Sequence, residues 1–383
     1  MAPLNGNNRR MYELARALSD TRNVHLIVYL EGSDLRAQFL EAWHDTTCKV
    51  HFLQRKPRLR YLRSMIRGEA LPTVDRNFEA EANLIVELSN GNPGSRLFLD
   101  NNLVAPLARY FHSGVVVSGP DCMSRLFGQV AIHARSVRER WHNRFRSWFA
   151  RNNERRWYHV AEVAHVVSRM DRDALRLVNP VANIRVIPLG LSGPKMEALR
   201  AWESRRSGVV WANLDFAPTR AGVRQLIEFV QARVPGALQG WTLLGKASPE
   251  AALSMLPGLG SSGIRYLPWA KDLSGLLGCS RVVVCPDVGG AGQKNRCLDA
   301  MAHGCVVVGL PEVFRDLGGQ PGHNYMEVSS FADLFGALDF VEGERGKAMS
   351  VEARLLFEAR FSHKALASTW SEMLDGMHPL RRR

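Results

Sequence analysis

Apolar residues in this chain cluster in short runs, with longer amphipathic stretches between them. Residues 24–30, 50–53, 96–99, 115–117, 163–168 and 184–188 are brief and rich in β-branched side chains. Such runs predict strands. Residues 10–18 and 78–88 repeat their apolar positions at helical spacing, and residues 135–160 predict one long helix rich in Arg and Trp. The second half repeats this alternation more clearly. Strands are expected over 208–212, 241–245, 264–267, 282–285 and 305–308, with helices over about 221–233 and up to about residue 256 between them. Strands alternating with helices imply an α/β fold with parallel sheets and right-handed crossovers.

The chain has 383 residues, and a single core rarely grows past roughly 250–300 residues. Two domains follow, at 1–192 and 193–362, with a C-terminal helix and basic tail over 363–383. The final Arg381, Arg382 and Arg383 read as a frayed end. Two such domains in tandem predict a cleft that faces the C-terminal ends of the strands, where α/β folds bind ligands.

Composition narrows the partners. Apolar content is 46% and charged content 23%, ordinary for a globular protein, but the net charge is +13. Only eight of the 50 basic residues are lysine. Arginine binds phosphate bidentately, so the balance points to nucleotide, lipid headgroup or nucleic acid. It is also met by a solubilising surface. The six cysteines form no C-x-x-C pair and no zinc spacing, which fits a reducing, cytoplasmic setting. No signal pattern and no apolar run of the ~20 residues needed for a membrane span is present. The expected place is the cytoplasm, with the inner membrane face open as a peripheral site.

The chemistry concentrates in residues 282–308, VVVCPDVGGAGQKNRCLDAMAHGCVVV. A buried strand runs into a Gly-rich loop, the loop opens a helix, and a second buried strand follows. Gly289, Gly290 and Gly292 let backbone N–H groups approach a ligand, and the helix N-terminus adds partial positive charge. Lys294 and Arg296 add full charges. This makes a diphosphate cradle, and Asp299 one turn on is placed to accept from ribose hydroxyls. Spacing alone fits a tight structural turn as well.

The stretch GAGQKNRCLDAMAHGCVVV resembles the donor-site motif of the retaining, family 4-like group 1 glycosyltransferases. The match runs through Gly292, Asn295, Leu298, Ala300, Met301, Ala302, Gly304, Val306 and Val307, with Arg296 for the family Lys and Asp299 for its Glu. Residues 211–218 resemble the loop after the first donor-domain strand, residues 243–246 the next strand end, and residues 184–190 the close of the N-terminal domain. Asp272 matches an aspartate that follows a strand end in the family. Residues 3–9 resemble the acceptor-side glycine loop, and residues 361–374 the helix that crosses back.

The resemblance implies a GT-B fold: two Rossmann-like domains facing each other across a cleft, here with the first N-terminal strand missing. It implies metal-independent sugar transfer from a nucleotide-sugar, UDP- or GDP-linked, with no further cofactor. Donor contacts would come from Asn213, Arg220, Gly245, Lys246, Gly290, Ala291, Gly292, Gln293, Lys294, Asn295, Arg296 and Asp299. Acceptor contacts would come from Asn5, Gly6, Asn7, Arg10, Asp100 and Asn101. Gly6, Asp121, Lys246 and Lys294 would act at the reacting centre. Three departures stand out. Asn213 and Thr219 occupy positions where many members carry Arg and Lys. Ala291 replaces the first acid of the E-x7-E pattern. Lys246, Lys294 and Arg296 would then carry the charge at the diphosphate.

His133, His159, His165 and His303 have no spacing partners and read as surface or core residues. Two basic segments remain. Residues 55–67 mix arginines with apolar residues, and residues 135–157 carry eight arginines, with Trp141, Phe145, Trp148 and Phe149 on one helical face. An interfacial helix on anionic lipid, a nucleic-acid contact and a core helix with a charged outer face all fit that pattern. The family's lipid-linked acceptors favour the membrane. Three functions follow: glycan or polysaccharide assembly, sugar transfer to hydroxymethylated DNA bases as in phage, and a non-catalytic binding subunit.

Overall fold

The computed structural model describes residues 6–29, 33–53, 78–90, 92–100, 102–134, 136–205, 207–289 and 293–383. The basic segment 55–67 lies outside them, as do Asn5, Asn101, Gly290, Ala291 and Gly292. The chain separates into two compact units. One comprises Met1–Gly128, Trp141–Gly190 and His363–Arg383, and the other Gln129–Arg140 with Leu191–Ser362.

In the first unit, helix α1 (Gly6–Ser19) precedes strand β1 (His25–Tyr29), helix α2 (Ser33–Ala42) and strand β2 (Lys49–Leu53). Strands β1 and β2 pair in parallel. Helix α3 (Phe78–Ser89) leads to β3 (Leu97–Asp100), then β4 (Phe111–Ser113) and β5 (Val115–Ser118). Helices α4 (Met123–Ile132) and α5 (Val137–Trp157), whose residues between Gln129 and Arg140 belong to the second unit, run on to β6 (Val163–Val166), α6 (Arg169–Val178) and β7 (Ile184–Val186). Strands β3, β5, β6 and β7 form one parallel sheet in that order. Val115, Val116, Val117, Ala164 and Val166 are all buried, as strands covered on both faces must be. The C-terminal helix His363–Asp375 lays Leu366, Trp370 and Leu374 against Leu14 and Ala17 of α1.

The C-terminal tail corrects the expectation of a frayed end. Arg381 and Arg382 pair antiparallel with β4, and the Leu380 N–H donates to the Ser95 carbonyl at 3.0 Å. Gly114 makes room for this segment. Its φ is +76°, and a Cβ there would sit 2.5 Å from Leu380 backbone atoms. Pairing gives β4 its hydrogen-bonded partner in a two-stranded sheet, which outweighs the repulsion of three neighbouring arginines.

The second unit holds strand β8 (Ser207–Ala212), helix α7 (Ala217–Arg233), β9 (Thr242–Gly245), α8 (Pro249–Met255), β10 (Arg265–Leu267) and α9 (Leu273–Gly278). It continues with β11 (Ser280–Cys285), α10 (Asn295–Ala302), β12 (Val306–Gly309), α11 (Pro311–Phe314), β13 (Met326–Glu327), α12 (Leu334–Glu342) and α13 (Glu344–Arg360). The strands lie in the order β10-β9-β8-β11-β12-β13, all parallel. From β8 the chain winds outward to β10. It then returns to β11 and winds the other way. The reversal between β8 and β11 is the switch point where open α/β sheets leave a crevice at the strands' C-terminal ends. Asp272, singled out from the sequence, caps α9 by accepting from the Gly275 N–H at 2.8 Å.

Candidate functional site

The switch point of the second unit is built around a buried carboxylate. Asp287 stands two residues past the end of β11, after Pro286, and is 1% exposed. Its oxygens accept from Arg296 Nη2 at 2.7 and 2.6 Å, and Thr219 Oγ1 donates to it at 2.6 Å. Burial pushes the Asp287 carboxyl up, but the Arg296 guanidinium, Lys294 and the Thr219 hydroxyl outweigh burial and hold it below the ordinary carboxylate range. Three elements are thereby tied to one atom group: β11 through Asp287, α7 through Thr219, and α10 through Arg296. Gly222 lets α7 lie directly on the strand end, since a Cβ there would fall 1.6 Å from the Pro286 carbonyl oxygen.

Around this knot the sheet edge presents its polar groups. Asn213 is exposed after β8, and its Oδ1 accepts from the Asp215 N–H at 3.2 Å, an Asx turn. Arg220 is buried and donates to the Leu214 carbonyl at 2.6 Å, holding the same turn from beneath. Gly245 ends β9, and Lys246 beside it is exposed. The Tyr266 hydroxyl lies 2.7 Å from the Gly245 carbonyl and 2.9 Å from that of Ala247, so the backbone on both sides of Lys246 is fixed. Lys294 stands at the N-cap of α10, half-buried, with Gln293 before it and Asn295 opening the helix. The Asn295 Oδ1 is buried with no hydrogen-bond partner among the described residues. Asp299 is buried one turn into α10. Gly289 faces Gln129 and His133, with a Cβ there 3.5 Å from Gln129 Oε1 and His133 Nε2.

The site expected from the sequence is thus redistributed. Arg296 was expected beside a diphosphate and Arg220 as a donor contact. Both are engaged within the fold, because a buried carboxylate and a loop carbonyl need partners more than solvent does. Lys246 is exposed after β9, and Lys294 is half-buried at the N-cap of α10, where its charge also acts on Asp287. Asp287 was missed, although a carboxylate two residues past an apolar strand is a visible signal.

The acceptor candidates behave likewise in the first unit. Arg10 of α1 forms an ion pair with Asp100 at the end of β3. Its Nη1 donates to Ser118 Oγ at 3.0 Å, and Ser118 lies 2.8 Å from His165 Nδ1. His165 Nε2 sits 2.9 Å from the Ile187 carbonyl. A carbonyl can only accept, so Nε2 carries the proton and Nδ1 accepts from Ser118. Burial lowers the His165 pKa to about 3, Arg10 adds to the effect, and the Ile187 carbonyl pulls against it. His165 is therefore neutral. Arg10 and Asp100 are brought together, but with each other. Gly6 and Asn7 open α1. Asp121 is half-buried in the turn after β5, next to Gly119, where a Cβ would fall 2.3 Å from the Tyr158 hydroxyl. Beyond it, Glu154 of α5 accepts from the Ser124 N–H at 3.1 Å and anchors the start of α4.

A scan against protein-family models gives no match, and neither does a search of curated proteins. Solved structures do match. A structure of Anabaena HepE in complex with UDP-glucose covers 98% of this chain and 97% of its own, with TM-score 0.66 at 14% identity. Sucrose-phosphate synthase from Thermosynechococcus elongatus covers 92% and 98%, with TM-score 0.60 at 16% identity. The N-terminal domain of Candida albicans trehalose-6-phosphate phosphatase covers 96% and 93%, with TM-score 0.62 at 11% identity. The fold is GT-B. Among neighbours of this fold are both a synthase and part of a phosphatase, so the GT-B architecture alone leaves the reaction to be argued from the site.

Proposed function

We propose that this protein transfers a glycosyl group from a nucleotide-sugar to an acceptor with retention of configuration, in glycan or polysaccharide assembly. The observation that carries the reading is the β8/β11 switch point, where exposed Lys246 and half-buried Lys294 at the N-cap of α10 stand with an internally neutralised Asp287–Arg296 pair. Neighbour HepE has been solved with UDP and with UDP-glucose, ligands whose diphosphate suits such a site. In the transfer, the bond from the anomeric carbon to the diphosphate breaks and a bond to the acceptor oxygen forms. The acceptor hydroxyl's proton passes to the departing diphosphate oxygen. Negative charge grows on the departing diphosphate, and fixed cations and N–H donors there stabilise the transition state more than the ground state.

Lys246 and Lys294 take that role. Gly290, Ala291, Gly292, Gln293 and Asn295 line the donor, and Asn213 and Gly245 border it. Asp299 remains the ribose candidate. Arg296 and Arg220 act as positioning residues. On the acceptor side, Gly6, Asn7 and Asp121 stay as candidates with Asn5 and Asn101, while Arg10 and Asp100 set the position of α1. The reading includes no metal and no cofactor beyond the UDP- or GDP-sugar substrate.

The test is a thermal-shift screen against UDP, GDP, ADP, dTDP, CMP and their sugar conjugates. A ligand at 100 times its Kd adds about 2.7 kcal/mol. One nucleotide is expected to raise the melting temperature, with the gain lost in Lys294→Ala. No shift with any of them overturns the proposal. A second reading, a nucleotide-binding subunit without transfer, is favoured by the inward engagement of Arg220 and Arg296. A shift without turnover or donor hydrolysis would select it.

A further inference from the structure

Helix α5 is inside out. Its inward side carries Asn143, Asn153 and Glu154 beside Phe149 and Ala150, all buried. Its outward side carries Val137 at 67% exposure, Trp141 at 66%, Phe145 at 49% and Trp148 at 56%. On a helical wheel these four fall within roughly 80° of arc, so they form one stripe. Of the four aromatics expected on a shared face, only Phe149 turns inward. The reading as a core helix with a charged outer face therefore fails: the apolar stripe is the solvent side.

Arginine surrounds that stripe. Arg138, Arg140, Arg144, Arg151, Arg155 and Arg156 are all exposed. The Arg144 guanidinium lies 5.9 Å from the centre of the Trp141 ring. Among the helix's acids, Glu154 is buried, which leaves Glu139 against these cations. An exposed aromatic stripe costs free energy in water unless something covers it. What covers it must accept aromatic rings and carry negative charge.

We infer that α5 is a docking surface for an anionic lipid bilayer. Trp and Phe partition into the headgroup boundary while the flanking arginines meet lipid phosphates. Two observations favour lipid over a nucleic-acid strand. Val137 extends the stripe, and an aliphatic side chain offers no stacking face to a base. The aromatic rings also pack on one another, with Phe145 and Trp148 centroids 6.1 Å apart at 25°, which turns one side of each ring toward its neighbour rather than toward a base. The inference goes beyond the proposed sugar transfer and does not depend on it.

Flotation of the full chain with vesicles tests it. Phosphatidylcholine mixed with phosphatidylglycerol is expected to carry the protein, and phosphatidylcholine alone to leave it behind. The triple variant Trp141→Ala, Phe145→Ala, Trp148→Ala is expected to lower partition about tenfold or more. The variant Arg144→Glu, Arg151→Glu, Arg155→Glu is expected to abolish it at low salt. If the aromatic variant fails to fold, the charge variant decides. Flotation unchanged in the charge variant overturns the inference. So does absence of flotation with tight binding to a single-stranded oligonucleotide that the aromatic variant loses. Nucleotide-induced thermal shifts in both variants are expected to match the parent, so a failure here is distinct from a failure of the transfer reading.

Discussion

Each unit places an arginine–aspartate pair at the C-terminal end of a parallel strand, but with opposite partners buried. In the second unit the carboxylate is the hidden member: Asp287 is 1% exposed and Arg296 17%. In the first the arginine is hidden: Arg10 is 7% exposed and Asp100 27%. The buried member is the hub in both. Asp287 gathers a hydroxyl and a guanidinium, while Arg10 gathers a carboxylate and a hydroxyl. A lost partner therefore matters most when it strands the hub, because a buried unpaired charge has no water to turn to.

That asymmetry predicts an order of damage. Arg296→Met strands Asp287 and is expected to cost about 3–5 kcal/mol. Asp287→Asn leaves Arg296 closer to water and should cost less. In the first unit the order reverses: Asp100→Asn, which strands Arg10, should exceed Arg10→Met. Urea unfolding of the four variants checks it. Asp287→Asn outranking Arg296→Met, or Arg10→Met outranking Asp100→Asn, would break the comparison for that unit.

Acid should sharpen the contrast. Asp287 is held below its ordinary range, so its contribution is present above the unfolded carboxylate pKa and is lost only as pH falls through the lower folded value. Glu154, also buried, is the opposite case. Burial pushes it up to about 7, and the Ser124 hydroxyl and N–H pull against that. With a raised folded pKa, its stabilisation is complete below the unfolded value near 4.3 and is lost as pH rises through about 7. His165 works against it. Its pKa is depressed to about 3, so stability falls as pH drops from about 6.5. Glu154→Gln is therefore expected to gain about 2–3 kcal/mol relative to the parent between pH 4 and pH 8. Melting curves of both proteins over that range would show it, and parallel curves would refute the assignment.

These hubs also mark where sequence reading stopped. Runs such as residues 282–285 and 305–308 named their strands because β-branched apolar residues buried on both faces leave few alternatives. The helix that follows, Asn295–Ala302, was equally visible. Partner choice was not. Arg296 finds Asp287 nine residues back, and Arg10 finds Asp100 ninety residues on. A guanidinium looks the same in sequence whether it faces a phosphate or a buried carboxylate. Outward aromatics on α5 and the paired C-terminal arginines share that origin, since burial is decided by neighbours distant in the chain.

The smallest stability effect belongs to the residue with the most to say about function. Lys246 is exposed while its flanking backbone is held by Tyr266, so its side chain contributes little to folding. Lys246→Ala should alter stability by no more than about 0.5 kcal/mol. If its ammonium meets a diphosphate at the switch point, the same change should remove most of the nucleotide-induced thermal shift. Arg296→Met should weaken that shift too, but only with a large loss of stability. A variant that folds like the parent and no longer responds to nucleotide separates contact from scaffold. Retention of the full shift in Lys246→Ala would move the diphosphate towards Lys294 and the start of α10.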